Sequence, residues 1–72
     1  MKKIKKIKIK INGKFSSIEY NLNFLKYLIK LRVPLKKVAI ELNNKIVDKN
    51  KLKNVKLKKN DKIEIVHFIG GG

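Results

Sequence analysis

The sequence predicts an α+β domain in which one helix packs across a mixed sheet. Three observations carry that expectation. An isoleucine–lysine alternation near the N-terminus runs into Asn12-Gly13. A single stretch, from Leu22 to Arg32, has helical spacing. Further alternating stretches follow it, at Val38 to Leu42 and at Ile63 to Phe68. Period-2 patterning marks strands and period-3.6 patterning marks helices, so the chain reads strand, strand, helix, then strands.

The first strand begins near Lys5, since Ile7, Ile9 and Ile11 share one face while Lys8 and Lys10 share the other. Asn12-Gly13 is a strong two-residue hairpin signal because both residues accept φ > 0. The return strand is Lys14 to Tyr20. Asn21 is the expected helix N-cap, its side chain offering an acceptor to a free backbone N–H. Leu22, Leu25, Leu28, Ile29 and Arg32 form the helical stripe, widened by Phe24 and Tyr27. Pro34 is expected to end the helix, because the residue before proline is pushed out of the α region. Lys37 to Leu42 is the third strand, Asn43-Asn44 a turn, and Lys45 to Val47 a short fourth strand. Asp48 to Lys56 reads as a loop or single helical turn anchored by Leu52 and Val55. After a turn at Lys58 to Asp61 the last strand runs from Lys62 to Phe68. A hairpin, one helix and a sheet completed by the last strand is the β-grasp, ubiquitin-like arrangement. The ferredoxin-like alternative needs a second long helix, and no periodic segment supplies one.

Length and charge bound the function. A chain of 72 residues holds one domain, here expected over 1–72 with a flexible glycine tail over 69–72. No apolar run approaches the roughly 18 residues of a membrane span, and no secretory signal pattern opens the chain, so a cytoplasmic protein is expected. There is no cysteine and one histidine, His67. That leaves no thiolate, no nucleophile–base–orienter set and no metal site of the usual ligand types. The net charge of +15 points first to nucleic acid or an anionic membrane. Yet 19 of the 20 cations are lysine, and Lys, Ile and Asn together supply 38 residues, the signature of A/T-rich codons. The lysines are also spread along the chain, and arginine, preferred for bidentate base contacts, occurs once, at Arg32.

Glycine placement is the sharper signal. Of four glycines one makes the hairpin turn and the others are Gly70, Gly71 and Gly72. A frayed end is one account of them. The other is a tail without Cβ atoms that threads a narrow channel in a partner and presents a carboxylate there. A carboxylate is ionised at neutral pH and inert to nucleophiles. Adenylation would give it a leaving group, and a sulfur nucleophile could then displace AMP.

The segment from Ile63 to Gly72, above all His67-Phe68-Ile69-Gly70-Gly71-Gly72, resembles the end of the ThiS sulfur carriers of thiamine biosynthesis. Asn12-Gly13-Lys14, the stretch from Val38 to Val47, and Asn60-Asp61 are similar to other parts of that family, so the resemblance spans nearly the whole chain. It implies a carrier that is not itself an enzyme and binds no cofactor. Gly72 would be adenylated with ATP by a ubiquitin-activating-enzyme-like partner of the ThiF type and converted to a thiocarboxylate. Sulfur would come through a cysteine desulfurase relay, and a ThiG-type thiazole synthase would consume it. Gly70, Gly71 and Gly72 would enter the partners' active sites. Val66, His67, Phe68 and Ile69 would form the docking surface. Val66 and Phe68 lie on the opposite strand face from Ile63 and Ile65, so they either dock a partner or pack on another strand's outer residues. His67 reads as a structural or interfacial group. Carriers for molybdopterin synthesis or tRNA thiolation keep the same chemistry with another acceptor. A basic nucleic-acid-binding module is the alternative of a different class, disfavoured by the glycines; no membrane partner is expected.

Overall fold

A computed structural model of the chain describes residues 5–68. The tail expected over 69–72, with Ile69, Gly70, Gly71 and Gly72, lies outside the described residues. Five strands form one mixed sheet: β1 (Lys6–Ile11), β2 (Lys14–Glu19), β3 (Val38–Leu42), β4 (Lys45–Ile46) and β5 (Lys62–His67). Their order across the sheet is β2-β1-β5-β3-β4. β1 and β5 are parallel, and the other neighbours antiparallel. Among the described residues the single α-helix, α1 (Phe24–Lys30), packs on one face, with short 3-10 turns at Leu35–Lys37 and Lys49–Asn54. This is the expected β-grasp arrangement, with the last strand at the centre of the sheet.

The hairpin forms as its residues dictate. Asn12 and Gly13 have φ values of +46° and +82°, the pair of left-handed conformations that matches strand twist in a two-residue turn. Asn43 and Asn44 do the same between β3 and β4, at +53° and +72°. Ile7, Ile9 and Ile18 point into the core with Val38, Ile40 and Ile63. Leu52, expected as an anchor, is fully buried, and Leu57 joins it. The segment carrying them is stitched to the start of the helix by Phe24 N–H donating to the Val55 carbonyl at 2.8 Å and Leu57 N–H to the Leu22 carbonyl at 2.9 Å.

The helix departs from expectation at both ends. Its N-cap is Asn23, whose Oδ1 accepts from Lys26 N at 3.1 Å, and not Asn21. Asn21 instead takes a left-handed φ of +66° that turns the chain from β2 toward the helix. Two asparagines stand two residues apart there, and the bridge of Asn23 to Lys56 decides between them. The C-terminus is set before Pro34 acts. Arg32, at φ +60°, is the left-handed residue of a Schellman motif. Its N–H donates to the Ile29 carbonyl and the Val33 N–H to the Leu28 carbonyl. The shorter helix narrows the stripe. Phe24, Tyr27 and Leu28 are buried, whereas Ile29, expected in the stripe, is 60% exposed. Residues 24, 27 and 28 share a face, and position 29 lies about 100° round from 28.

Candidate functional site

β5 places the residues from Val66 to Phe68 at the end of the strand held in mid-sheet. Asp61 sets where β5 begins: its carboxylate accepts from Lys58 N at 2.7 Å and from Asn43 Nδ2 at 3.0 Å, while Asn43 Oδ1 accepts from Lys62 N at 2.9 Å. The turn after β3 and the turn before β5, neighbours at one end of the sheet, are thus tied together, and register follows. Lys10 stands beside Lys62 and Ile11 beside Ile63, where pairing with β1 stops. β3 continues alone, opposing Ile40 to Ile65, Ala39 to Val66 and Val38 to His67. Phe68 is fixed one residue beyond by its N–H donating to the Lys37 carbonyl at 2.9 Å.

Because β5 outruns β1, one side of its second half would be bare. Asn12 covers the first position: its Oδ1 accepts from Ile65 N at 2.7 Å. The hairpin turn therefore braces β5 as well as reversing the chain. This role is invisible in the sequence, where Asn-Gly signals only a turn.

The outward face at this end is apolar and open. Val66 is 47% and Phe68 46% exposed, so neither is buried by packing on a neighbouring strand. Ala39 lies opposite Val66. Ile46, opposite Glu41, is 75% exposed on the same face. Glu41 and Glu64 are direct cross-strand neighbours between them. Two of the chain's five acidic residues thus meet on this apolar face, and Lys62 relieves the pair only weakly, its Nζ 3.8 Å from Glu64 in an exposed ion pair. Lys49 Nζ lies 5.4 Å from the Phe68 ring centroid, a cation–π contact at the rim. His67 shares the parity of Ile63 and Ile65 but is exposed at the strand end.

The lysines are less dispersed in space than in sequence. Lys6, Lys8 and Lys10 share the outer face of β1, and Lys62 continues the row on β5. The outer face is thus basic over β1 and apolar with two carboxylates over β5, β3 and β4. Among the described residues no helix is long and apolar enough to cross a membrane, and no group of three or more His, Asp or Glu side chains is placed to share a metal ion.

Comparison with known proteins matches this arrangement. The chain is similar to the crystal structure of the thiamine biosynthesis protein ThiS from Geobacter metallireducens, with a TM-score of 0.81 and 29% identity over 92% of this chain and all of that one. It is 38% identical over 66 residues to a thiazole synthase of Magnetococcus marinus and 39% identical over 66 residues to one of Paramagnetospirillum magneticum. Each match takes in 92% of this chain but only 20% of the relative, so the chain spans about a fifth of the length of these curated relatives. The model of the ThiS family matches residues 2–72, which includes all three C-terminal glycines, and the chain belongs to the ThiS family.

Proposed function

We propose that the chain is a sulfur carrier for thiazole formation in thiamine biosynthesis, with the Gly72 carboxyl as the point of attachment. The observation that carries this reading is the join between a centrally clamped strand and the three glycines that follow it in the sequence. A carrier needs a firm body for partners to hold and a thin end that enters their active sites. β5, gripped by β1, β3 and the Asn12 side chain, supplies the first. Gly70, Gly71 and Gly72 supply the second, having no Cβ to obstruct a narrow channel.

The chemistry follows from the carboxylate. Its oxygen attacks the α-phosphorus of ATP, pyrophosphate leaves, and the resulting acyl-adenylate has AMP as leaving group. The terminal sulfur of a persulfide then attacks the carbonyl carbon, AMP departs with the original oxygen, and a thiol cleaves the resulting acyl disulfide, leaving the thiocarboxylate and a disulfide between that thiol and the persulfide's carrier sulfur. A ThiF-type adenylating enzyme would catalyse the first step, and a cysteine desulfurase relay would supply the sulfur. The carrier contributes the end and the apolar face around Val66 and Phe68; Ile69 and His67 complete the contact. The relatives named thiazole synthase support a ThiG-type enzyme as the acceptor's catalyst. A carrier-like stretch within such a longer chain would hold donor and acceptor at high effective concentration. That favours thiazole formation over molybdopterin synthesis or tRNA thiolation.

The test is intact-mass analysis after incubation with the cognate adenylating enzyme, ATP and a sulfur donor. Exchange of one oxygen for sulfur, localised to Gly72 and lost on deletion of Gly71 and Gly72, is expected. An unchanged mass with a demonstrably active adenylating enzyme refutes the reading.

A further inference from the structure

β2 is an outer strand of the sheet, and a cleft of about 400 Å³ lies between it and α1. Ile18, Leu22 and Tyr27 line its apolar floor, and Lys26 and Lys30 stand on the helix rim. These two lysines are four residues apart, hence on one side of the helix. The strand's backbone is only half used. Tyr20 N–H donates to the Lys5 carbonyl at 2.7 Å. In an antiparallel ladder hydrogen-bonded pairs alternate, so Ile18, Ser16 and Lys14 also face β1. Phe15, Ser17 and Glu19 turn their N–H and C=O groups outward. The Glu19 carbonyl accepts from Leu22 N–H at 3.3 Å. The backbone groups of Phe15 and Ser17 have no partner among the described residues. On the other side of the same edge Phe15 is 71% exposed, with Lys8 and Lys10 Nζ atoms 5.4 and 5.5 Å from its ring centroid.

We propose that this edge is a docking site for an extended acidic segment of a partner protein, added as a strand to β2. Such a segment would pair with the outward Phe15 and Ser17 backbone groups and place alternate apolar side chains in the cleft. Its other side chains, carboxylates, would face Lys8 and Lys10, and the acidic end that runs past the paired stretch over the helix rim would meet Lys26 and Lys30. The charges decide the partner's sign, since Glu19 is the one acid lining the cleft. They also argue against a second copy of this chain, which would bring +15 of like charge to the same edge. β2 is separated from β5 by β1, so the segment binds without covering Val66 or Phe68. The inference therefore stands apart from the sulfur-carrier reading, and its test needs no thiocarboxylate.

The probe is the blocked heptapeptide Glu-Val-Asp-Ile-Glu-Val-Asp, titrated into isotope-labelled full-length protein by amide NMR. Saturable shifts at Phe15 to Ile18 and Lys26 to Leu31 are expected, with slowed exchange of the Ser17 amide. The same alternation with lysines in place of the acids should not bind. Lys26→Glu with Lys30→Glu, both at exposed positions, should weaken the acidic peptide about tenfold while leaving the amide spectrum folded. Shifts centred on Val66 to Phe68, an unprotected Ser17 amide, equal binding by the charge-reversed variant, or peptide-independent dimerisation would each overturn the proposal.

Discussion

Replacing Asn12 with glycine separates the two duties of that residue. Glycine keeps the left-handed φ that the turn demands, so the hairpin survives. What is lost is the 2.7 Å acceptor for Ile65 N. An intramolecular hydrogen bond contributes about 0.5–1.5 kcal/mol net. Glycine's greater freedom in the unfolded chain adds about 0.5 kcal/mol. The sum is ~1–2 kcal/mol, which for a domain near this size is a fall in Tm of roughly 4–16 °C. Asn12→Asp supplies the control, since aspartate tolerates the left-handed region and retains an oxygen acceptor; it should stay within about 0.5 kcal/mol of the parent. Thermal unfolding by circular dichroism measures both, and native-state hydrogen exchange reports on the Ile65 amide itself. If Asn12→Gly unfolds at the parent temperature with Ile65 protection unchanged, the brace between the turn and β5 does not hold.

Other expectations follow from burial and backbone geometry. Phe24 is fully buried at the start of α1, so Phe24→Ala should lose about 3–5 kcal/mol and leave so small a domain largely unfolded by chemical denaturation. Arg32→Gly relieves a left-handed non-glycine residue at the helix end and should raise stability by about 1 kcal/mol; a lower Tm would show that the Arg32 side chain, and not its backbone, sets the helix stop. Val66→Asp combined with Phe68→Ala alters exposed residues, so stability should move by less than about 1 kcal/mol while the rate of Gly72 adenylation drops at least tenfold. An undiminished adenylation rate would move the docking surface elsewhere.

The strands were legible because each carries a period-2 pattern with one apolar face. Ile7, Ile9 and Ile11 also fix the register of the first hairpin, since a one-residue slip would expose all three. The dipeptides Asn12-Gly13 and Asn43-Asn44 were readable for the same reason, their conformational tolerance being local. The helix ends were not. Asn21 and Asn23 are equally good caps taken alone, and what distinguishes Asn23 is the bridge beside it, made by Val55 and Leu57 more than thirty residues away. Arg32 gives no sign of a left-handed backbone, because the Schellman bonds that impose it are backbone bonds, from its own N–H and that of Val33, and use nothing of its side chain. At the candidate site, the outward parity of Val66 and Phe68 was readable, and their exposure settles which of two packings they adopt. The side-chain reach of Asn12 to β5 was not, because it spans a parallel pairing between the two ends of the chain. The asparagines also acquire a purpose beyond composition: five of the eight sit at positive φ, where this residue type costs least after glycine.

The seating of β5 between β1 and β3 has a consequence for how the molecule comes into being. The sheet cannot close until its last strand has been made, because Lys10 waits for Lys62 as a neighbour. Such long-range parallel pairing is slow to form and keeps the folding transition late. A ribosome-bound chain that has emitted everything up to β4 has two half-sheets, β1-β2 and β3-β4, and nothing to join them. The strand that completes the sheet is also the one that leads into the glycines, so an incompletely folded chain has no firm platform from which to offer them. On the carrier reading proposed above, partners that grip the Val66–Phe68 surface would thereby sample only molecules that have finished folding.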